Sequence, residues 1–291
     1  MLYTLENEKI KLTLNAKGAE KRSIFGKKHG TEFLWNGDPA FWEDRAPVLF
    51  PIVGRLYNNT CRIDGNEYKM ECHGFAQEME FTVVKQDETN ILLRLIANDY
   101  TKTMYPYDFV FDVSYLLDGN DIKIKYSITN AGTIDMPFAV GAHPGFMCPM
   151  GLGDAFTDYY LEFAQNETAD ILRVRTDGFF EEGSIPLLKN EKSIDLNYSL
   201  FANDALVFKN LKSDTVYLKS HKHNKHVKVQ FGGFKYLGVW TRLNAPYVCI
   251  EPWTSLGDYY GYDGAFKDKP DMTALKPGGS FTISHIVSVY E

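Results

Sequence analysis

The stretch DIKIKYSITN (121–130) alternates without a break. Ile122, Ile124, Tyr126 and Ile128 fall on one side, and Lys123, Lys125, Ser127 and Thr129 on the other. Side chains of a strand point to opposite faces with period two, so one face here meets a core and the other meets water. KIKLTLN (9–15) repeats the pattern with Ile10, Leu12 and Leu14, and HVKVQF (226–231) repeats it with Val227, Val229 and Phe231. Such strands belong to antiparallel sheets with one wet face. Between the strands stand turn signals: DGN at 64–66 and 118–120, GG at 232–233 and PGG at 277–279. No long stretch has helical period, and only PAFWEDRA (39–46) and NDALVF (203–208) have room for one short helical turn each. The pattern predicts an all-β chain, a large antiparallel β-sandwich. No linker or repeat divides it, which predicts a single domain over 1–291.

Composition narrows the function classes. The 291 residues are 44% hydrophobic and 24% charged, the balance of an ordinary globular protein. Aromatic content is 14%, and aromatic residues favour strands. A net charge of −7 argues against tracking the phosphates of a nucleic acid. No basic segment followed by an apolar one opens the chain, and no apolar run is long enough to cross a membrane. Cys61, Cys72, Cys148 and Cys249 are scattered without CxxC spacing, which suits reduced thiols and a cytoplasmic protein. There is no phosphate-cradling loop and no dinucleotide fingerprint, so nucleotide and nicotinamide chemistry have no support. His221, His223 and His226 are spaced crudely like metal ligands. They sit among Lys222, Lys225 and Lys228, however, which disfavours a cation and predicts a solvated hairpin with no metal.

Five short segments carry polar groups that a simple core does not need: Arg55 in FPIVGRLYN, His73 in ECHGFAQ, His143 in VGAHPGF, Asp204 in LFANDALVF and Glu251 in YVCIEPWTS. Pro144 pushes His143 toward an extended backbone, while Gly141 and Gly145 permit close packing around it. Glu251 ends an apolar strand, so its carboxyl is partly desolvated and can be tuned as a general base. Taken singly, each of the five also fits a structural role: a turn histidine, an ion-pair partner or a cap.

Taken together and in order, GRLYNNTCRIDG, HGFAQ, GAHPGF and CIEPW resemble the aldose 1-epimerase (mutarotase) family. The likeness runs from TEFLW (31–35) to SFTISHIVSVY (280–290), and its wording is nearest the branch associated with lactose genes. The resemblance implies a galactose-mutarotase-like sandwich that interconverts sugar anomers without metal or cofactor. It implies Glu251 as general base, His143 as general acid, and His73, Arg55 and Asp204 as sugar contacts, Asp204 having the weakest wording. Phe75 or Trp253 would offer an apolar face to the ring.

A related branch acts on hexose 6-phosphates and carries an arginine just after the HGFA motif. Here Gln77 and Glu78 follow it, which favours an unphosphorylated aldose unless Arg45 or Arg62 reaches a phosphate. A sugar-binding domain without turnover is the remaining alternative.

Overall fold

The computed structural model describes all residues from Met1 to Glu291. It is 52% strand and 7% helix, and every ladder between its strands is antiparallel. Asp121–Asn130 lies deep in a 15-stranded sheet, between Phe109–Asp118 and Ser280–Tyr290. Its four apolar side chains are fully buried and the alternate positions are not, as the period-two pattern requires. Each such burial contributes about 1.5–3 kcal/mol.

A second sheet of four strands, Leu2–Glu6, Ile10–Asn15, Glu20–Gly26 and Thr31–Glu32, covers that face. Leu12, Leu14 and Ile24 from it join Phe111, Tyr115 and Ile124 in one continuous core. The Tyr115 hydroxyl donates to the Ala19 carbonyl at 2.6 Å and ties the two layers together.

The short elements depart from expectation in one place. PAFWEDRA opens with a single turn, closed by the Trp42 N–H donating to the Asp38 carbonyl at 2.9 Å. NDALVF holds no helical turn: Leu206–Lys209 is a strand that pairs with Tyr236–Trp240, so sheet pairing overrode the local preference. The one α-helical turn, Asp99–Lys102, is capped reciprocally by Asn98 and Thr101, and is too short to show a period.

His221, His223 and His226 flank a hairpin and take separate partners in Asp195, Asp154 and the Asn224 carbonyl. All four cysteines are free, and no helix is long and apolar enough to cross a membrane.

Beyond the central strands the large sheet continues through Leu206–Lys209, Tyr236–Trp240, Tyr247–Trp253, Gly141–Ala142 and Val48–Leu49. Here loops gather on one face. Among them is the turn joining two 16-residue strands, Tyr159–Val174 and Phe180–Asp195.

Candidate active site

Tyr247–Trp253 is buried along its whole length. One edge pairs with Tyr236–Trp240, and the other meets Gly141–Ala142 and Gly145–Met147. The register sets Gly141 opposite Trp253 and Gly145 opposite Cys249, so His143, midway between, falls opposite Glu251. The His143 N–H donates to the Pro47 carbonyl at 3.1 Å, and the Pro144 carbonyl accepts from Ile250 at 3.2 Å. The histidine is thus held from both sides. A Cβ on Gly141 would lie 2.8 Å from the Trp253 indole, so this strand approach needs glycine.

His143 Nε2 lies 3.2 Å from Glu251 Oε2 at the floor of a cleft of about 310 Å³. Their side chains are 11% and 1% exposed, and neither carboxyl oxygen has a hydrogen-bond partner. Burial pushes the Glu251 carboxyl well above its ordinary range, and the Asp204 charge adds to this. The Trp253 indole N–H works the other way, although its geometry falls short of a full hydrogen bond. Burial, with His73 nearby, pulls the His143 imidazole well below its ordinary range. Both groups are driven toward their neutral forms by the same cause, desolvation.

His73 stands against His143, ring centroids 5.3 Å apart and nearly perpendicular. Its Nδ1 accepts from the Gly54 N–H at 3.1 Å, which leaves Nε2 as the protonated nitrogen. Burial, reinforced by Arg55, lowers its pKa to about 4, so it stays neutral near pH 7.

Arg55 and Asp204 lie together on one wall, with Gly178 of the long hairpin's turn between them. A Cβ at Gly178 would be 3.0 Å from Arg55 Nε and 3.5 Å from Asp204 Oδ2. Asp204 Oδ1 accepts from the Ala205 N–H at 2.7 Å. Burial raises its pKa, and that bond and Arg55 partly offset the rise. Trp253 also lines the cleft.

Phe75 does not. It is 4% exposed and packs edge-on against Phe50 and beside Tyr105 and Phe109, so the expectation that it faces a sugar ring is corrected. Its motif places it just past the His73–Gly74 turn, where the chain heads into the core.

Residues that sequence reasoning did not single out complete the lining: Trp42, Asp44, Trp240 and Arg242. Trp42 and Trp240 flank the His143 ring at 4.9 and 5.6 Å between centroids and supply the aromatic surface sought from Phe75. Trp240 ends the strand beside Glu251's own, opposite Cys249, a placement set by strand pairing and not by its own segment. Trp42 and Asp44 lie in a loop with no pattern to read. Gln77 is on the cleft too, whereas Arg45 donates to the Arg22 carbonyl and Arg62 pairs with Glu67, both outside it.

Donor atoms of His143, Cys249 and Glu251 come within 4.8 Å of one another, close enough to share a metal ion. Burial pushes the Cys249 thiol well up, away from the thiolate such a ligand must provide.

Comparison with known proteins adds an independent line. The family model described as Aldose 1-epimerase matches residues 1–288. The plasmid-encoded Protein LacX of Lactococcus lactis subsp. lactis is 35% identical over 290 residues, covering 95% of each chain. A crystal structure of a galactose mutarotase related enzyme from Lactobacillus acidophilus superposes with a TM-score of 0.95 at 33% identity, covering 100% of this chain and 98% of that one. A galactose mutarotase-like protein from Lactobacillus casei gives 0.94 at 26% identity, with both chains fully covered.

Proposed function

This chain belongs to the aldose 1-epimerase family, and from that premise we propose that it interconverts the α- and β-anomers of a free aldohexose. The observation that carries the reading is the buried pair, His143 and Glu251, set 3.2 Å apart at the cleft floor.

In the ring-opening step Glu251 takes the proton of the anomeric hydroxyl while His143 gives one to the ring oxygen. The C1–ring oxygen bond breaks and C1 becomes a carbonyl. Rotation about C1–C2 presents the other face. The open-chain hydroxyl returns its proton to His143, attacks C1, and the new anomeric oxygen recovers a proton from Glu251. Protons and bonds balance over the cycle, so the residues themselves suffice as acid and base.

The shifts at the two groups suit this exchange. A neutral carboxyl beside a neutral imidazole holds the same number of protons as a carboxylate beside an imidazolium. One proton moved across the contact therefore converts the resting pair into base and acid. A sugar hydroxyl donating to the carboxylate favours the charged form. His73 Nε2–H and Arg55 donate to sugar oxygens and stabilise charge on the opening ring, while Asp204 accepts from hydroxyls. Trp253, Trp42 and Trp240 provide apolar ring contact.

One observation favours a phosphorylated substrate instead. Arg242 lines the cleft and has no carboxylate within ion-pair distance, leaving it free for an anion. Gln77, also on the cleft, adds no second positive charge, so the free sugar remains the preferred substrate.

Polarimetry on fresh α-D-galactose, α-D-glucose and their 6-phosphates decides among these. A faster free sugar supports the proposal and a faster phosphate supports Arg242 as anchor. No acceleration of any aldose tried leaves only a sugar-binding role.

A further inference from the structure

Arg55 is exposed on the cleft wall. Its backbone, in contrast, is gripped closely. The Asp258 N–H donates to the Arg55 carbonyl at 2.8 Å. Asp258 Oδ2 accepts from the Tyr57 N–H, also at 2.8 Å. The segment is packed backbone on backbone as well: a Cβ on Gly257 would lie 2.9 Å from the Arg55 nitrogen.

The same residue also holds the hairpin against which Arg55 lies. The Asp258 carbonyl accepts from the Phe180 N–H at 3.0 Å, and the Tyr260 N–H donates to the Phe180 carbonyl at 2.9 Å. Phe180 opens the second strand of the long hairpin, whose turn places Gly178 between Arg55 and Asp204. The backbone of Asp258 therefore joins the base of Arg55 to the hairpin, and its carboxylate fixes that backbone in place at the Tyr57 N–H.

Asp258 does this from the interior. Its Oδ1 is ion-paired with Lys269 Nζ, and both side chains are 2% exposed. A buried charge pair of this kind adds little stability compared with an apolar pair of the same shape, but breaking it leaves one charge orphaned. Its presence beside a functional arginine therefore calls for a reason beyond stability.

We propose that Asp258, anchored by Lys269, is the positioning residue that aims Arg55 at the substrate. The proposal rests on the reading of Arg55 as a sugar contact and extends it to a residue that touches no substrate.

A double-mutant cycle tests it. Asp258→Asn, Arg55→Ala and the double variant are compared in the full-length protein. Two measures are read: kcat/KM for mutarotation, and galactose affinity from the fluorescence of the cleft tryptophans Trp42, Trp240 and Trp253. The expected result is a loss of about tenfold or more for Asp258→Asn alone, since small misplacements are costly. In the Arg55→Ala background the same change should cost less than twofold.

A merely structural role gives the same loss in both backgrounds and overturns the proposal. So does an Asp258→Asn variant of normal activity and affinity. If orphaned Lys269 prevents the single variant from folding, Asp258→Asn with Lys269→Met removes both charges and enters the same cycle.

The two levels of inference fail differently. A wild-type protein that binds galactose without accelerating mutarotation refutes the enzyme reading, and the cycle is then read on affinity. A fully active, fully binding Arg55→Ala variant overturns the positioning proposal and leaves the enzyme reading standing, whereas a protein that binds no sugar overturns both.

Discussion

Replacing Glu251 with glutamine should make the protein more stable and less active. Both oxygens of the carboxyl are buried without hydrogen-bond partners, and its pKa is raised by burial. Above the ordinary carboxyl pKa the unfolded chain has released this proton, while the folded protein either retains it or holds an unpartnered charge.

The sign follows from proton counts. Over the window from the ordinary value of 4.5 up to the raised folded value, the native state binds more protons than the unfolded state. Stability therefore falls as pH rises through that window, and glutamine removes the fall. The amide is also buried without partners, so it relieves only the extra cost of the charged form, about 1–3 kcal/mol. For 291 residues the unfolding entropy is about 0.6 kcal/mol per kelvin, so relief of about 2 kcal/mol raises Tm by about 3 °C.

Thermal melts of wild type and Glu251→Gln at pH 4 and pH 8 should show that gain growing with pH, from near zero at pH 4. Mutarotation should meanwhile drop about 10²- to 10⁴-fold with the loss of the general base. A Tm difference that is negative or independent of pH refutes the account of the carboxyl's environment. Retained activity refutes its role.

Two further outcomes separate cleft from core. Phe75→Ala should cost about 3–5 kcal/mol in unfolding free energy, as for any large buried aromatic, while the folded fraction keeps its kcat/KM. A specific loss of activity in a stable variant would put Phe75 back in the site. Acid should also destabilise the fold through its buried histidines. His73, lowered to about 4, and His143 and His285, held well below 6.5, bind fewer protons in the native state than in the unfolded one. Stability then falls as pH drops through 6.5 toward 4. His285→Leu, far from the cleft, should flatten that slope, and an unchanged slope in Tm against pH counts against it.

The strand pattern was readable because period two is a local property. DIKIKYSITN needed only alternation to declare which face is buried, and tertiary packing obeyed it. The polar residues were readable for a related reason: Glu251 and His143 stand at ends of apolar runs, where a sequence has no need of them unless something meets them. What misled was Phe75, whose motif neighbours His73 but whose side chain leaves on the other side of a tight turn. His73 has φ +68° and Gly74 φ +78°, and such a left-handed pair redirects the chain within two residues. Trp42, Asp44 and Arg242 were silent because loop residues reach the cleft through the course of the backbone, which no periodicity encodes.

The sequence alone determined the class of fold, the face that the alternating strands bury, and that Glu251 ends an apolar strand where water is scarce. Those are decided by hydrophobic alternation and local chain geometry. Tertiary structure alone decided that His143 falls opposite Glu251, because their meeting depends on the register of strands more than 100 residues apart. It alone decided that Asp258 lies beneath Arg55, since hydrogen bonds between segments 200 residues apart leave no mark on either segment by itself. Alternation is paid for one strand at a time, whereas a site is a matter of distance, and distance exists only once the sheets have closed.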